Sequence, residues 1–209
     1  MAPEPSPPRP WDARLARRLI TPLANTRVTP NHLTTLRLLV GIAGAIALAA
    51  GTPRAANLGA LLFCLSNFLD HTDGELARLT GRTTAWGHRY DLACDMVVHT
   101  LLFFAIGWGL RDGHLGAWAP ALGLLAGVSV ATIFALRMRI EARLGKAGAR
   151  LPALSGFEVE DCLYLLPLVT LTHTLPLFLD AAVVGAPLFA LWVTWSYRAT
   201  APTPTGEAR

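Results

Sequence analysis

Long apolar segments set the strongest limit on what this chain can fold into. A helix that crosses a bilayer needs about 20 apolar residues, and six segments approach or reach that length. Of all residues 53% are hydrophobic and only 15% are charged, against about 25% charged residues in ordinary soluble domains. We therefore predict an all-α, polytopic membrane protein with six transmembrane helices. The segments are Leu33–Ala50, Ala55–Leu69, Leu92–Leu110, Leu115–Leu136, Cys162–Phe178 and Ala181–Tyr197, with tight turns predicted at Gly51–Pro53, at Asp112–Gly113 and around Pro176.

Basic residues are distributed unevenly between these segments, which predicts the orientation. Five arginines precede the first segment, three lie between the second and third, and five basic residues lie between the fourth and fifth. The alternate loops hold only Arg54 and Arg111. By the positive-inside rule, we expect a multi-pass protein of the inner cell membrane, with both termini and the loops at 70–90 and 137–157 in the cytoplasm. A net charge of +4 could indicate binding to nucleic acid or to a membrane surface. Because the chain is so apolar, we predict the membrane surface.

The beginning and end of the chain differ in composition from its apolar middle. A proline-rich start, predicted to be disordered, is followed by a helix whose apolar side chains recur every four residues, which is typical of an amphipathic helix in the membrane interface. A solvated helix packed on a soluble core is the alternative. The apolar stripe is Trp11, Leu15, Leu19 and Leu23. The predicted divisions are 1–28 for this start, 29–198 for the six-helix domain and 199–209 for a disordered tail.

Carboxylates are concentrated around the second and third predicted helices. Charged residues inside membrane helices are costly, and a function is their default explanation. Two sets of residues each have helical spacing, so each set shares one helix face. Two neighbouring antiparallel helices, connected by Leu79–Trp86 on the cytoplasmic side, would then direct four carboxylates into a shared space. The first set is Asp70, Asp73, Gly74, Ala77 and Arg78, and the second is Gly87, Asp91, Asp95 and His99.

Four carboxylates in a membrane-embedded pocket need counter-charges, because like charges repel strongly in a low dielectric. Oxygen ligands suit hard divalent cations, so we predict two Mg²⁺ or Mn²⁺ ions as cofactors. Paired ions favour displacement at phosphorus, since they stabilise the attacking and leaving oxygens together. The small Gly74 and Ala77 would let a phosphate or base approach the backbone, and the Arg78 fork could hold phosphate.

The spacing D-x2-D-G-x2-A-R-x8-G-x3-D-x3-D, from Asp70 to Asp95, resembles the signature of the CDP-alcohol phosphotransferase family at every specified position. The stretch Thr29–Arg37 is also similar to the one that opens the first helix in that family. The resemblance implies an integral membrane enzyme of phospholipid biosynthesis, commonly a homodimer. In this family the acceptor oxygen attacks the phosphorus that bears the donor's alcohol, and CMP leaves.

The resemblance also implies roles for individual residues. Asp70, Asp73 and Asp91 would hold the metal ions, and Asp95 would complete the second metal site and act as general base for the acceptor hydroxyl. Asp91 and Asp95 would be the catalytic residues. The expected contacts to the CDP donor are Gly74, Ala77, Arg78 and Gly87, with Thr84, Asn31 and Thr34 close to the nucleotide or diphosphate.

The sequence predicts the substrates less closely than it predicts the site residues. We expect CDP-diacylglycerol as donor, because a membrane-embedded site gives lipid tails lateral access, and an alcohol as acceptor. A CDP-linked polar headgroup with a lipid alcohol acceptor is the alternative. Candidate acceptor contacts are Arg137, Arg139, Glu158, Asp161 and His99. Each has a structural alternative: a topology-setting basic loop, an acidic first helical turn or an interhelical histidine.

Two other classes of protein would also place acidic residues in a membrane. A divalent-cation transporter predicts carboxylates spread across the membrane depth and has no need of Gly74, Ala77 and Arg78. A catalytically inactive scaffold of the same fold would normally have lost an aspartate of the motif, and here none is missing.

Overall fold

The computed structural model describes residues 11–148 and 163–200. Within these residues the chain is helical and contains no strand, which confirms the all-α prediction. Short 3₁₀ turns at Thr21–Leu23 and Gly116–Trp118 precede α2 and α5. The helices are α1 (Trp11–Ile20), α2 (Pro30–Ala49), α3 (Pro53–Thr80), α4 (Ala85–Gly109), α5 (Ala119–Gly148), α6 (Leu166–Leu171) and α7 (Leu175–Thr200).

The boundaries of the central helices follow from local sequence signals. Thr29, Thr52 and Thr84 are the N-caps of α2, α3 and α4, and each threonine hydroxyl accepts a hydrogen bond from a backbone N–H in the first turn. Pro30 and Pro53 follow two of these caps, where proline removes no needed hydrogen bond. Gly81 ends α3 in a left-handed conformation, with φ of 66°, which glycine adopts without a steric penalty.

Among the described residues, four segments are long and apolar enough to cross a membrane. The predicted segment Ala55–Leu69 lies within the 28-residue α3, whose second half carries the charged motif. The count of six spans therefore stays a prediction. The four segments are Pro30–Ala49, Ala85–Gly109, Gly116–Ile140 and Leu175–Arg198.

The prediction for the fifth segment is wrong in its described part. Cys162–Phe178 was predicted as one apolar segment with a tight turn around Pro176, but the chain turns earlier, at 172–174, and α7 already begins at Leu175. His173 has φ of 58°, a conformation that no regular helix contains. Pro176 occupies the first turn of α7, where it is tolerated. Cys162 itself lies outside the described residues.

Helices α2, α3 and α4 pack closely because small residues lie at their crossings. A Cβ atom added to Gly59 of α3 would lie 2.7 Å from the Gly44 carbonyl oxygen of α2, and one added to Gly41 would lie 2.8 Å from a Val98 methyl group of α4. Phe63 and Leu102 fill the adjoining core with almost no exposed surface. Close backbone approach between small residues is typical of helix association in membranes. It fixes the relative positions of the three helices that carry the charged residues.

The N-terminal helix has two apolar sides. Ala16 and Ile20 are buried, and α1 packs against α3. Leu15 and Leu19, two members of the predicted stripe, are exposed. Helix α1 therefore packs on the bundle with one apolar side and leaves other apolar side chains exposed. Its location in the membrane interface stays a prediction.

Candidate active site

The four motif aspartates converge on one arginine of the first long helix. Helices α3 and α4 are joined by only Gly81–Thr84, shorter than the predicted connection Leu79–Trp86, and α2 packs against both. The Arg37 guanidinium of α2 lies 2.9 Å from Asp70, 2.7 Å from Asp91, 2.7 Å from Asp95 and 3.6 Å from Asp73. The predicted juxtaposition of the two aspartate pairs is therefore present in the structure.

Arg37 is a residue of the cluster that was not predicted as a site residue from the sequence. Its side chain is 2% exposed, and it donates hydrogen bonds to the Asp95 and Asp91 carboxylates and to the Asp91 carbonyl. The planar fork of an arginine suits such contacts with several acceptors at once. The available signal was a lone charge in an otherwise apolar helix, but helical spacing in α2 alone does not show which residues of α3 and α4 it faces.

Asp73 is the most buried of the four aspartates, and a threonine fixes its orientation. The Thr34 hydroxyl donates a 2.6 Å hydrogen bond to Asp73 Oδ2, and both residues are buried. Thr34 was predicted near the nucleotide or diphosphate. The structure gives its hydroxyl a contact with a motif carboxylate, which holds that carboxylate in one orientation. The contact of Thr34 with the donor stays a prediction.

The remaining motif residues lie beside the aspartates on α3 and at the start of α4. A Cβ atom added to Gly74 would lie 3.4 Å from Arg78 Nη2, so this glycine makes room for the guanidinium. A Cβ atom added to Gly87 would lie 3.0 Å from the Thr84 hydroxyl and 3.1 Å from Asn31 Oδ1. Asn31, Thr84 and Gly87 are thus neighbours, as the shared prediction of a donor site requires.

Thr84 and Ala77 have less specific surroundings. The Thr84 hydroxyl accepts a 2.9 Å hydrogen bond from the Gly87 backbone N–H, so it stabilises the start of α4 whether or not it meets a ligand. Ala77 is half-buried and leaves space on the face of α3 that carries the motif.

Among the candidate acceptor residues that the structure describes, none has a recorded contact with an aspartate carboxylate. His99 Nδ1 donates a 2.8 Å hydrogen bond to the Asp95 carbonyl, and its buried ring packs between Phe63 and Phe134, which favours the interhelical alternative. Arg139 borders an apolar groove of about 580 Å³ between α4 and α5. Glu158, Asp161 and the side chain of Arg137 lie outside what the structure describes.

The donor atoms of the cluster fit a divalent cation. Ligand oxygens of Asp70, Asp91 and Asp95 lie within 4.8 Å of one another, and carboxylates are the ligands that Mg²⁺ and Mn²⁺ prefer. The single charge of Arg37 balances one of the four carboxylates, which leaves three formal negative charges (−4 + 1 = −3) when all four are ionised. Asp70 and Asp91 are about one-third exposed, so a ligand has access to them.

A cluster of carboxylates on paired helices, bordered by small residues and an arginine, is typical of sites that hold divalent cations for displacement at phosphorus. Comparison with known proteins identifies the class more closely, because the sequence model of the CDP-alcohol phosphatidyltransferase family matches residues 27–198. The chain belongs to this family, and its long apolar helices are those of an integral membrane protein.

Two curated relatives are similar over part of the chain. One, from Thermococcus kodakarensis, is named bifunctional IPC transferase and DIPP synthase and is 31% identical over 119 residues, which cover 56% of this chain and 27% of the relative. Another of the same name, from Aquifex aeolicus, is 35% identical over 92 residues, which cover 44% and 21%. The match thus extends over about a quarter of the length of these relatives.

Proposed function

We propose that the protein transfers a phosphatidyl group from CDP-diacylglycerol to an alcohol and releases CMP. The observation that carries the proposal is the convergence of all four motif aspartates around Arg37 in a chain of the CDP-alcohol family. Such a product is a phospholipid, which places the reaction in phospholipid biosynthesis.

The reaction exchanges one phosphate ester for another. The acceptor oxygen forms a bond to the phosphorus that carries the diacylglycerol, the bond from that phosphorus to the bridging oxygen breaks, and CMP leaves with the bond's electron pair. An alcohol is a far weaker acid than a carboxylic acid, so Asp95 cannot remove its proton in advance. The proton moves to Asp95 as the new bond forms and then passes to water.

The chain's own residues would bind and orient the reactants. Asp70, Asp73, Asp91 and Asp95 would hold two Mg²⁺ or Mn²⁺ ions, whose charge favours displacement at phosphorus when they are bound. Thr34 keeps Asp73 in its orientation, and Arg37 limits the repulsion between the carboxylates. Arg78 would contact the diphosphate, and the neighbours Asn31, Thr84 and Gly87 would contact the nucleotide.

Two features support a lipid donor over a soluble CDP-linked headgroup. The cluster lies on helices of a membrane protein, so acyl chains can reach it sideways. The apolar groove between α4 and α5 includes Met96, the residue after Asp95. The CDP-linked headgroup with a lipid alcohol acceptor is the second candidate, since both reactions need the same metal and nucleotide contacts.

The basic loops support a cytoplasmic active site in the inner cell membrane, with both termini on the same side. A homodimer is proposed from the family resemblance, and its mass in detergent, measured by light scattering, tests it. The basic residues Arg137 and Arg139 were predicted in a loop but lie in α5. They would suit an acceptor that carries a phosphate, because such an acceptor needs cations in addition to the metal ions.

The direct test uses purified protein with Mg²⁺ or Mn²⁺ and CDP-diacylglycerol. It is incubated with glycerol 3-phosphate, inositol, inositol 3-phosphate, serine or choline, and lipid products are identified by mass spectrometry. The proposal expects CMP and one new phospholipid with at least one acceptor. A new lipid formed only from a CDP-linked headgroup and diacylglycerol would favour the second candidate. The absence of CMP release with every donor would overturn the proposed activity.

A divalent-cation transporter is distinguished by nucleotide binding. All four aspartates lie in the halves of α3 and α4 that adjoin the Gly81–Thr84 connection, whereas a conduction path needs ligands through the membrane depth. Isothermal titration with CDP in the presence of Mg²⁺ should give saturable binding to the enzyme. A transporter has no reason to bind the nucleotide.

A further inference from the structure

One buried carboxylate next to the motif belongs neither to the aspartate cluster nor to its specified spacing. Glu75 follows Gly74 at a position where the family signature specifies no residue. Its side chain is 1% exposed. A buried carboxylate is costly unless it is paired, so its partners indicate why an acidic residue lies there.

Both partners of Glu75 are arginines, and they come from different helices. Oε1 accepts a 2.9 Å hydrogen bond from Arg78 Nη2 on α3, three residues further along the same helix. Oε2 lies 3.5 Å from Arg17 Nη1 of α1. The carboxylate is therefore the link between the N-terminal helix and the arginine of the motif.

The contact with Glu75 fixes the Arg78 side chain but uses only one nitrogen of its guanidinium. Arg78 is 56% exposed, so its guanidinium reaches the surface beside the motif while Nη2 is anchored below. The guanidinium has five N–H donors, and in the described part of the chain Nε and Nη1 have no hydrogen-bond partner. An arginine that is held in this way loses less conformational freedom when it binds an anion than a free side chain does.

We infer that Glu75 is a positioning residue for the CDP donor: it fixes Arg78 so that its other N–H groups face the donor's diphosphate, and Arg17 of α1 supplies the second counter-ion. The inference rests on the proposed transfer from a CDP-activated donor. It gives α1 a role in substrate binding, because the helix supplies a charge to the carboxylate that holds the substrate-binding arginine. Neither Glu75 nor Arg17 touches the reacting atoms.

The test compares Glu75→Met, Glu75→Gln and Arg17→Gln with the wild type in CMP release and in titration with CDP and Mg²⁺. Methionine is of similar size and accepts no strong hydrogen bond, so we expect KM for the CDP donor to rise about tenfold with kcat changed less than about twofold. Glutamine keeps the acceptor for Arg78 and should restore part of the loss. Arg17→Gln should raise KM in the same direction by a smaller factor. Asp112→Asn, at an 89% exposed aspartate at the opposite end of the bundle, is the matched control and should change neither constant.

A double-mutant cycle separates positioning from a merely structural role. If Glu75 acts through Arg78, Arg78→Gln and Glu75→Met together should raise KM hardly more than Arg78→Gln alone. The inference would be overturned if the KM increases of the two single variants multiplied in the double variant. It would also be overturned by a Glu75→Met protein that is less stable but has normal KM and CDP affinity. Wild-type protein that binds CDP without releasing CMP would contradict the proposed transfer, and the CDP affinities of the variants would still test the role of Glu75. Wild-type protein that does not bind CDP would overturn both.

Discussion

The guanidinium of Arg37 and the carboxylate of Asp95 lie 2.7 Å apart, although 58 positions separate the two residues in the chain. The same Arg37 nitrogen is 2.9 Å from Asp70, so one donor group links the aspartate pairs of α3 and α4. Arg37 thus supplies the permanent part of the counter-charge, and divalent cations would supply the rest. This division leads to different expectations for replacing the arginine and for replacing an aspartate.

Arg37→Gln should destabilise the metal-free protein, because it leaves four neighbouring carboxylates without their buried cation. We expect a loss of about 3 kcal/mol, the lower end of the range for breaking a buried pair, since Asp70 and Asp91 are partly exposed. Thermal unfolding in detergent with EDTA measures it, and added Mg²⁺ should recover more stability in the variant than in the wild type. Arg111→Gln is the control at the opposite end of the bundle, and equal Tm values for Arg37→Gln and wild type would contradict this account of Arg37.

Asp95→Asn should abolish CMP release while leaving the protein folded. The amide keeps a hydrogen-bond acceptor for Arg37 but cannot take the acceptor's proton, so we expect a loss of at least about 100-fold in kcat. CMP is measured by chromatography, and thermal unfolding checks that the protein is folded. Asp112→Asn serves as the control, and near-normal turnover of Asp95→Asn would remove Asp95 from the role of base.

Thr34→Val should weaken metal binding without removing a metal ligand. The change deletes the 2.6 Å hydrogen bond that orients Asp73, and losses of this kind typically cost about 10–100-fold in metal affinity or activity. The Mn²⁺ concentration that gives half-maximal CMP release measures the effect. Thr132→Val is the comparison, because that hydroxyl bonds only to the Val128 carbonyl of its own helix in the described structure. An unchanged Mn²⁺ requirement in Thr34→Val would show that Asp73 does not depend on this contact.

Gly59→Ala should destabilise the bundle, because the new Cβ atom would clash with the backbone of the neighbouring helix. The added Cβ atom would lie 2.7 Å from the Gly44 carbonyl oxygen, which cannot rotate away as a side chain can, so we expect a loss of about 1–3 kcal/mol. Gly185→Ala on α7 is a matched change, since its Cβ atom would meet no atom within 4 Å and alanine has the higher helix propensity. Thermal unfolding should therefore separate the two variants, and equal Tm values would refute the tight crossing of α2 and α3.

The sequence predicted the parts of the site that depend on spacing within one helix. The face of Asp70 and Asp73 and the face of Asp91 and Asp95 follow from helical geometry, and the short polar connection between them predicts that they meet. The contacts of Arg37 and Thr34 depend instead on how α2 is rotated against α3 and α4. That rotation is set by packing at residues such as Gly59, whose partner cannot be read from local sequence.

The turn predicted around Pro176 lies a few residues earlier, at 172–174. A left-handed residue at a helix end is usually glycine or asparagine, whereas here it is His173, so its position had no clear signal in the sequence. The predicted turns at Gly51–Pro53 and Asp112–Gly113 are present, because glycine and proline give those positions a clear signal. The number of membrane spans depends on α3 and α6, where charge and length give less decisive patterns.

The short connection between α3 and α4 has a consequence for biosynthesis. Arg37 and all four aspartates lie within residues 37–95, and Gly81–Thr84 lets the two motif helices form a hairpin as soon as α4 is made. Chains generally fold from the N-terminus while they are being synthesised. Arg37 can thus pair with the aspartates before α5, α6 and α7 leave the ribosome, so that the nascent chain already has the one buried counter-charge of the cluster when the later helices are made.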